Sequence, residues 1–569
     1  MMTFSKLKND VRIITATSLF DGHDASINIM RRILQRGGAE VIHLGHNRSV
    51  RDIVNAAIQE DVQGICVSSY QGGHMEFFKY MLELLRENDA SHIKIFGGGG
   101  GVIVHDEKVE LEKLGITHIY HPDDGRRLGL EGMIAEILQE CDFSVVKKLT
   151  EPKNSASNTT DEKNCRINSW QELARLITFC ELTHSSRGDA ETETETETET
   201  NSRVKIERPL WINNFLTKEG GPLIVGLTGP GGAGKSSLTD ELLQRFLNTF
   251  KDFKVAVLSV DPTKKKTGGA LLGERIRMNA LSRDGVFMRS LATRGSGREI
   301  SQSLKESIKL TQHAGFDLIF VETIGTGQGD VAVTEHVDVS VYVMTSEYGA
   351  PSQLEKIDMI DFADLIAVNK FDRRGSTDAL RDVKKQYSRS RNLFDPKNKL
   401  KLPIYGTISS QFNDGGVNEL FSHLTEILFS KGLNATATGE KTLTSHRHVI
   451  LPVENQNYMA EIVKSLKSYK SETKALTEAA SQAGVFKRAM GYLGDSPEMA
   501  GLEKKYSEIC KTLDGEVLGR LEKWDLLTQS YQQDEFEYVV RDRNIKMPLK
   551  TNSLSNLSIP KISVPQLKD

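Results

Sequence analysis

The chain has 569 residues, of which 38% are hydrophobic and 26% charged, with a formal net charge of −4. This ordinary globular composition suggests about three or four domains and gives no reason to expect nucleic acid or an anionic membrane as a partner. The scattered cysteines form no CxxC pair, no apolar run approaches the roughly 20 residues of a membrane span, and no signal-peptide core precedes the first domain, so a cytoplasmic protein without structural zinc or disulfides is expected.

Residues 1–146 alternate short apolar runs with amphipathic stretches. Strands are predicted in VRIITATSLF, EVIHLG, QGICVSS, HIKIFGG and THIY. Such a succession of βα units predicts a doubly wound, flavodoxin-like α/β sheet. Ligands of these sheets bind outside the carboxyl ends of the strands, so the loops at those ends are the candidate site.

Three of these loops hold candidate ligand-binding residues, which are Asp21, His23, Ser68, Tyr70, Gly72, Gly73, Gly97, Gly98 and Gly99. A histidine on a loop can present one ring nitrogen outward, and an aspartate two residues earlier can accept a hydrogen bond from the other nitrogen and fix the tautomer. The glycines are predicted to let a ligand lie against the backbone, where a Cβ would intrude. Taken singly, each feature could also be an ordinary surface histidine, a chance DxH or a flexible glycine loop.

Together these residues resemble the cobalamin-binding module, with its D-x-H-x-x-G, S-x-L and GG motifs. The resemblance implies that adenosylcobalamin binds here, that His23 is the lower axial ligand of cobalt, and that the displaced nucleotide tail runs along a slot beside the sheet. Ser26 stands where the motif has glycine, and Tyr70 stands where it has leucine. The sequences DGHDASINIMRRILQRGG and HPDDGRRLGLEGMI are similar to those of the fused isobutyryl-CoA mutase branch.

Residues 147–207 turn polar and are predicted to be a linker. They include the low-complexity run ETETETETET (191–200), whose composition cannot build a core. The segment WQELARLITFCELTH before that run has helical spacing, and we expect it to dock on a neighbouring domain.

A P-loop GTPase domain is predicted for residues 208–437. The apolar run LIVGLT reads as a buried strand and leads directly into a complete G-x-x-x-x-G-K-S loop. Its glycines allow backbone N–H groups to converge on phosphates, the lysine can reach the β/γ oxygens, and the first serine can ligate magnesium. The predicted nucleotide-binding residues of this loop are Gly229, Gly232, Ala233, Gly234, Lys235, Ser236 and Ser237.

Two further strands complete the nucleotide site. One ends in Glu322 and is followed by Gln328 in a glycine-rich segment, which suits a metal-proximal carboxylate and a mobile γ-phosphate-sensing loop. Lys235, Glu322 and Gln328 are therefore the candidate catalytic residues. The other strand carries Asn369, Lys370 and Asp372, whose donors and acceptors complement guanine and leave adenine unpaired, so GTP and GDP are favoured over adenine nucleotides. Further on, Ile408-Ser409 with Asn413-Asp414-Gly415 resembles the last base-proximal loop of such a domain.

The stretch VLSVDPTKKKTGGALLGERIRMNAL (257–281) resembles the G-protein chaperones of adenosylcobalamin-dependent acyl-CoA mutases. The resemblance implies that Arg277 approaches the nucleotide and that Mg²⁺ is surrounded by Ser236, Asp261, Glu274, Glu322 and Thr323. Position 274 has glutamate where the family usually has aspartate. Its carboxylate is one methylene longer, so direct and water-mediated contacts to the metal both remain open.

Residues 438–569 show a helical pattern to about residue 545 and no catalytic constellation, which predicts a helical arm. The resemblance implies an arm that leads toward a mutase barrel, and such a barrel needs about 250 residues. The sequence therefore predicts the cobalamin and GTPase half of an acyl-CoA mutase, in which GTP hydrolysis gates cofactor loading. The mutase barrel is expected on a separate subunit or in a missing C-terminal half, a homodimer is expected, and the chain alone is expected to lack mutase activity. Two alternatives stay open: a cobalamin carrier or sensor coupled to a GTPase, and an ordinary GTPase beside a degenerate flavodoxin-like domain.

Overall fold

The computed structural model divides into two compact units, Met1–His448 and Val449–Asp569. It describes residues 4–146, 167, 169–187, 208–217, 220–264, 267–294, 303–323, 325, 331–348, 354–393, 402–437, 457–493, 497, 499–541 and 543–565. Across these ranges no helix combines the length and apolar character needed to cross a membrane.

The first unit is built from parallel strands and the helices that cover them. The strands are β1 (Arg12–Ser18), β2 (Glu40–Arg48), β3 (Gly64–Ser68), β4 (Lys94–Gly98), β5 (His118–Tyr120), β6 (Leu223–Thr228), β7 (Val255–Asp261), β8 (Ala270–Leu272), β9 (Val286–Ala292), β10 (Leu318–Glu322), β11 (Val339–Thr345), β12 (Leu365–Asn369) and β13 (Ile404–Gly406). The helices are α1 (Ala25–Arg36), α2 (Val50–Gln59), α3 (His74–Glu87), α4 (His105–Leu114), α5 (Pro122–Cys141), α6 (Trp170–Arg187), α7 (Leu210–Thr217), α8 (Lys235–Thr249), α9 (Leu304–Gln312), α10 (Met359–Phe362), α11 (Ser376–Ser390) and α12 (Gly415–Ser430).

The first sheet has the strand order β5-β4-β3-β1-β2-β8, and its neighbours pair in parallel. The strands predicted from the five apolar runs all form, because both faces of the sheet are covered and near-continuous apolar runs suit strands buried on both sides. Apart from β8, the order is that of a flavodoxin-like fold. The predicted fold class is confirmed, but β8, which is contributed by residues of the second domain, was not predicted.

The second sheet has the order β13-β12-β11-β6-β10-β7-β9, again in parallel. The loop after its central strand β6 opens α8, which packs on the sheet through a cluster of aromatic rings. Phe246 stacks on Phe253 at 5.7 Å and meets Phe320 edge-on at 5.9 Å. These contacts fix α8 against the sheet. The loop between β6 and α8 is therefore held at the carboxyl edge of the sheet.

Helix α6 joins the two sheets, as its helical spacing led us to expect. Leu173 and Ile177 are fully buried in the same apolar cluster as Ile319 of β10. On its other side, Arg175 Nε donates to Asp61 Oδ1 at 2.9 Å, immediately beyond α2. Within the otherwise polar region 147–207, this helix is therefore part of the core.

Buried ion pairs also cross between the two sheets. Arg12 of β1 donates to Glu40 of β2 at 2.7 Å and to Glu181 of α6 at 2.9 Å, and Glu181 also accepts from Arg289 of β9 at 2.8 Å. Arg294 reaches Glu40 at 2.9 Å. Since removing one partner of such a pair leaves an uncompensated buried charge, this network fixes how the two sheets are placed.

The second unit contains α13 (Tyr458–Leu493), α14 (Met499–Cys510), α15 (Gly515–Glu522) and α16 (Trp524–Gln532). These helices are followed by β14 (Glu535–Val540) and β15 (Arg543–Pro548), paired antiparallel, and by β16 (Lys550–Asn552) and β17 (Ser558–Pro560), also antiparallel. The prediction of helix to about residue 545 is therefore wrong from Glu535 onward. In that stretch β-branched and aromatic residues, as in EFEYVV, suit a strand better than a helix.

Candidate cobalamin and nucleotide sites

The loop after β1 holds the predicted Asp21 and His23 together. The Asp21 side chain is fully buried; its Oδ1 accepts from the His23 backbone N–H and lies 2.9 Å from His23 Nδ1. Burial raises the pKa of Asp21, but hydrogen bonds from the Tyr70 and His23 backbones outweigh burial and lower that pKa overall. Because the His23 side chain is 72% exposed and its Nδ1 is engaged, Nε2 is left as the nitrogen for an outside ligand.

A cavity of about 330 Å³ lies beside these residues at the carboxyl edge of the first sheet. Of the predicted residues, its lining includes Ser68, Tyr70, Gly97, Gly98 and Gly99, whereas Gly72 and Gly73 do not contribute. The lining also includes Tyr120, Met133 and Ile137 from β5 and α5, which were not predicted individually. Met133 lies within the HPDDGRRLGLEGMI stretch (121–134), and Tyr120 and Ile137 lie on either side of it.

Two glycines at the end of β4 and just after it line the cavity and are also required for packing. A Cβ at Gly97 would lie 2.5 Å from the Phe78 ring and 2.6 Å from Ile119 Cδ1, and a Cβ at Gly99 would lie 1.9 Å from the Ser69 carbonyl oxygen. The prediction that these glycines let a ligand lie against the backbone stays a prediction, and the contacts of Gly97 and Gly99 give a second, structural reason for glycine at both positions. At both positions the missing side chain lets the end of β4 approach its own neighbours.

The two departures from the cobalamin motif contact each other. Ser26 Oγ and Tyr70 Oη are 2.9 Å apart, and the Tyr70 ring lies 5.5 Å from the His23 ring. Tyr70 N–H also donates to Asp21 Oδ2 at 2.6 Å. The residues present fit cobalamin: a histidine with one nitrogen anchored stands next to a largely apolar slot.

The P-loop residues lie together between β6 and α8. Lys235 is buried, and its Nζ donates to the carbonyl oxygens of Gly229 at 3.0 Å and Pro230 at 3.4 Å. Burial lowers the pKa of Lys235, with Glu322 and Glu274 opposing it. Gly229 has a φ of 146°, and a Cβ there would lie 1.9 Å from the Val343 carbonyl oxygen, so only glycine fits at the start of the loop.

Acidic side chains crowd around the P-loop serine. Ser236 Oγ lies 2.8 Å from Glu322 Oε1 and is also within hydrogen-bond distance of Glu274, and its single hydrogen can serve only one of the two carboxylates at a time. Burial, followed by the charge of Glu274, raises the pKa of Glu322 to about 7. Burial, followed by Glu274 and Glu322, raises the pKa of Asp261 well above its usual value, and the buried Asp261 Oδ2 has no hydrogen-bond partner among the residues that the structure describes. Such mutual repulsion is the condition that a divalent cation relieves.

The described residues contain no group of three or more histidine, cysteine, aspartate or glutamate side chains arranged as a metal cage. Mg²⁺ at nucleotide sites uses one or two carboxylates, water and the phosphates, and Ser236, Asp261 and Glu322 fit that pattern. Thr323 Oγ1 instead donates to Thr228 Oγ1 at 3.0 Å. The Arg277 side chain is 62% exposed, and its Nη1 lies 3.3 Å from Glu274 Oε2. Gln328 lies outside the described residues.

The base-recognition residues contact the P-loop directly. Asn369 Nδ2 donates to the Ala233 carbonyl at 2.8 Å, and Lys370 Nζ donates to the Gly232 carbonyl at 2.6 Å. Asn369 Oδ1 accepts from Ser409 N–H at 3.1 Å and from Ser409 Oγ at 2.9 Å, which brings in the loop that the sequence marked as base-proximal. Asp372 is half-buried in the turn after β12.

Comparison with known families agrees with both sites. Residues 11–126 match the family model of a B12 binding domain, and residues 190–465 match that of the methylmalonyl Co-A mutase-associated GTPase MeaB. The first of these stretches is therefore similar to B12-binding domains and the second to MeaB-type GTPases, in line with the two parallel α/β sheets.

Longer proteins match this chain over nearly its whole length. Over 99% of its length the chain is 50% identical to the fused isobutyryl-CoA mutase of Geobacillus kaustophilus, covering 50% of that protein. It is 45% identical, again over 99% of its length, to the fused isobutyryl-CoA mutase of Cupriavidus metallidurans, covering 49% of it. The chain thus spans about half the length of the curated relatives it matches. The resemblance to the fused isobutyryl-CoA mutases is confirmed.

A solved structure of the LAO/AO transport system kinase is 18% identical, with a TM-score of 0.30, covering 61% of this chain and 99% of that chain. At such a TM-score nothing about function follows from the likeness.

Proposed function

We propose that this chain holds adenosylcobalamin with the lower axial position of cobalt taken by His23, and that it is the cofactor-handling half of an isobutyryl-CoA mutase. The observation that carries the proposal is the buried, ionised Asp21 fixing the Nδ1 of an exposed histidine. Asp21 orients the ring and makes Nε2 the ligating nitrogen, while the cavity lined by Tyr70, Tyr120 and Met133 takes the nucleotide tail. When bound, the cofactor supplies the radical chemistry of the isomerisation.

The test is the spectrum of the chain with cobalamin. We expect hydroxocobalamin to bind with its benzimidazole displaced, and the Co(II) spectrum to carry the nitrogen hyperfine signature of a protein imidazole. His23→Ala should lose that signature, and His105→Ala, which removes an exposed histidine from α4, should keep it. An unchanged spectrum in the His23→Ala protein rules out His23 as the ligand.

For the second domain we propose GTP hydrolysis that gates cofactor loading. Lys235 would leave the carbonyl oxygens it now contacts and take up the phosphates, and Ser236, Asp261 and Glu322 would hold Mg²⁺. Asn369 and Asp372 would select guanine. Asp372→Asn should weaken GTP binding because the acceptor for the guanine N–H groups is lost, and equal turnover of ATP and GTP by the wild-type chain would refute this assignment.

We propose that mutase activity needs a mutase barrel in addition to residues 1–569. Support comes from the chain's coverage of only half of its fused relatives. Isomerisation of isobutyryl-CoA to n-butyryl-CoA should be absent from the purified chain with adenosylcobalamin and should appear when a barrel subunit is added. Turnover by the chain alone would place the active site elsewhere. The homodimer, the cytoplasmic location and the domain boundaries stay predictions.

A further inference from the structure

One short segment belongs to both domains of the first unit. Residues 269–277, here called the shared segment, begin in the edge strand of the cobalamin-type sheet, where β8 pairs with β2 in parallel and Leu271 lies opposite Val41. Ala270 N–H donates to the Ala39 carbonyl at 3.2 Å. A Cβ at Gly269 would lie 2.1 Å from the Gln35 carbonyl oxygen. The backbone of the shared segment therefore packs directly on the backbone of the first domain, with no room for a side chain between them.

The other end of the shared segment lies in the nucleotide site. After β8 ends, a 3₁₀ turn (Glu274–Arg277) follows almost at once. Glu274 at its start accepts from the P-loop Ser236, and Glu274 also contacts Arg277. With so few residues between the sheet edge and the serine, Glu274 cannot move far without pulling on β8.

Arg275 fastens the middle of the shared segment to the first domain. Its buried guanidinium donates to Glu60 at 2.8 Å, to Gln59 Oε1 at 2.6 Å and to the Met288 carbonyl at 2.7 Å. Glu60 and Gln59 lie at the end of α2, and Glu60 also accepts from Ser290 of β9. Because one partner of a buried pair cannot leave without stranding the other, the turn and α2 move together or not at all.

From β2 the contacts continue to the predicted cobalt ligand. At the end of β2, Asn47 Oδ1 accepts from Phe20 N–H at 2.7 Å, and Asn47 N–H donates to Thr17 Oγ1 at 3.0 Å. Thr17 Oγ1 in turn donates to the Asp21 carbonyl at 2.9 Å. The loop that holds Asp21 and His23 is therefore tied to the strand that the shared segment extends.

We propose that the shared segment couples the two sites, so that nucleotide with Mg²⁺ and cobalamin each change the other's affinity. This proposal rests on the proposed function. Mg²⁺ that takes the Ser236 hydroxyl as a ligand breaks its contact with Glu274 as it now stands, whether or not Glu274 then contacts the metal. Packed interfaces respond to such a displacement by switching arrangement rather than by deforming gradually. Coupling between two binding sites is reciprocal: the factor by which nucleotide with Mg²⁺ changes the affinity for cobalamin equals the factor by which cobalamin changes the affinity for nucleotide. This ratio is called the coupling factor below.

The first experiment measures the coupling factor on the wild-type chain. The dissociation constant of hydroxocobalamin is determined with and without saturating Mg²⁺ and a non-hydrolysable GTP analogue, and that of the analogue with and without hydroxocobalamin. We expect a change of about 5 to 150-fold, equal in both directions. Affinities unaffected by the other ligand would overturn the proposal.

The second experiment asks whether Arg275 carries the coupling. Arg275→Lys keeps the charge but loses the planar fork that reaches three acceptors, so the factor should fall toward one while both ligands still bind. The matched control is Arg283→Lys. Arg283 hydrogen-bonds to Gln244 and Asn248 within the GTPase domain, and its replacement should leave the factor unchanged. A full wild-type factor in Arg275→Lys would contradict the proposal.

A third measurement needs no variant and decides the matter if Arg275→Lys fails to fold. Amide hydrogen exchange in β2 and β8 of the wild-type chain should change when Mg²⁺ and the GTP analogue are added, because the strands share backbone hydrogen bonds with a moving turn. Unchanged protection in both strands would overturn the coupling. Failure of the wild-type chain to bind cobalamin or nucleotide at all would instead refute the proposed function, whereas independent binding of both refutes only the coupling.

Discussion

The two sites of the first unit differ in how far they are formed before any ligand binds. In the cobalamin-type site the polar groups are satisfied and one nitrogen faces outward: Asp21 holds His23, and the slot beside them is open. In the nucleotide site the predicted ligand-binding groups instead hydrogen-bond to other groups of the same site. Lys235 and Lys370 donate to P-loop carbonyls, and the Ser236 hydroxyl lies within hydrogen-bond distance of two carboxylates.

This difference indicates which site must rearrange when its ligand binds. A site already in its binding geometry loses little freedom when the ligand arrives, whereas a site closed on itself must first break its internal contacts. The nucleotide site should therefore respond to its ligand by rearranging, and the cobalamin-type site should respond mainly to changes in its supports. The following predictions test this contrast, from the largest expected effect to the smallest.

Lys235→Ala should reduce GTP hydrolysis by at least about 100-fold, because the cation that stabilises charge on the phosphates is lost. Phosphate release under single-turnover conditions measures the effect. Lys251→Ala, at an exposed position of the same domain, should hydrolyse GTP normally. Hydrolysis retained in Lys235→Ala would show that the lysine does not leave its carbonyl contacts during turnover.

Asp21→Ala should weaken cobalamin binding by about 10 to 100-fold, because the histidine loses the partner that fixes its tautomer and orientation. Spectroscopic titration gives the affinity. The control is Asp24→Ala, since Asp24 accepts from Asn28 rather than from the histidine, and its affinity should stay close to wild type. Equal losses in both variants would mean that the loop as a whole, and not the Asp21–His23 pair, forms the site.

Gly99→Ala should destabilise the first unit by about 1–3 kcal/mol, because a Cβ would overlap the Ser69 carbonyl and the backbone would have to shift. Gly72→Ala is the matched control, since no atom lies within 4 Å of its Cβ. Chemical denaturation of the two variants gives the comparison. If Gly99→Ala lost cobalamin affinity without losing stability, this glycine would be serving the ligand after all.

The stability of the ligand-free chain should fall as pH rises from about 4.5 to about 7, through Glu322. Its pKa in the folded chain is about 7, above its usual value of 4.5, so between these limits the folded state binds the proton more tightly and loses that advantage as pH rises. The Tm of wild type should therefore drop relative to that of Glu322→Gln across this window, by a few degrees. Parallel Tm curves would mean that Glu322 is ionised throughout.

Much of this arrangement could be predicted from the sequence, because local patterns determine it. Apolar runs predicted the strands, and the P-loop and the Asp21–His23 spacing located both sites. Strand β8 could not be predicted, since Ala-Leu-Leu between glycines is too short for a periodic pattern and becomes a strand only through pairing with β2. The packing role of Gly97 and Gly99 could not be predicted, because what a Cβ would meet there depends on tertiary packing.

The buried charges that cross between the sheets were also missed, although the sequence carried a signal for them. Arg12 and Arg289 lie inside apolar strand runs, where an unpaired charge is costly, so partners elsewhere in the chain were implied. Which partners they have depends on how the domains meet.

The place of β8 in the first sheet has a consequence for the order in which the chain is made. Residues 270–272 leave the ribosome long after β1 to β5, so the cobalamin-type sheet is synthesised with β2 as a bare edge and is completed only when part of the GTPase domain has emerged. An open edge strand is a template for pairing with other chains. A fragment cut at residue 146 would keep that edge open permanently and should self-associate, which makes the first domain of the sequence the one that cannot be finished without the second.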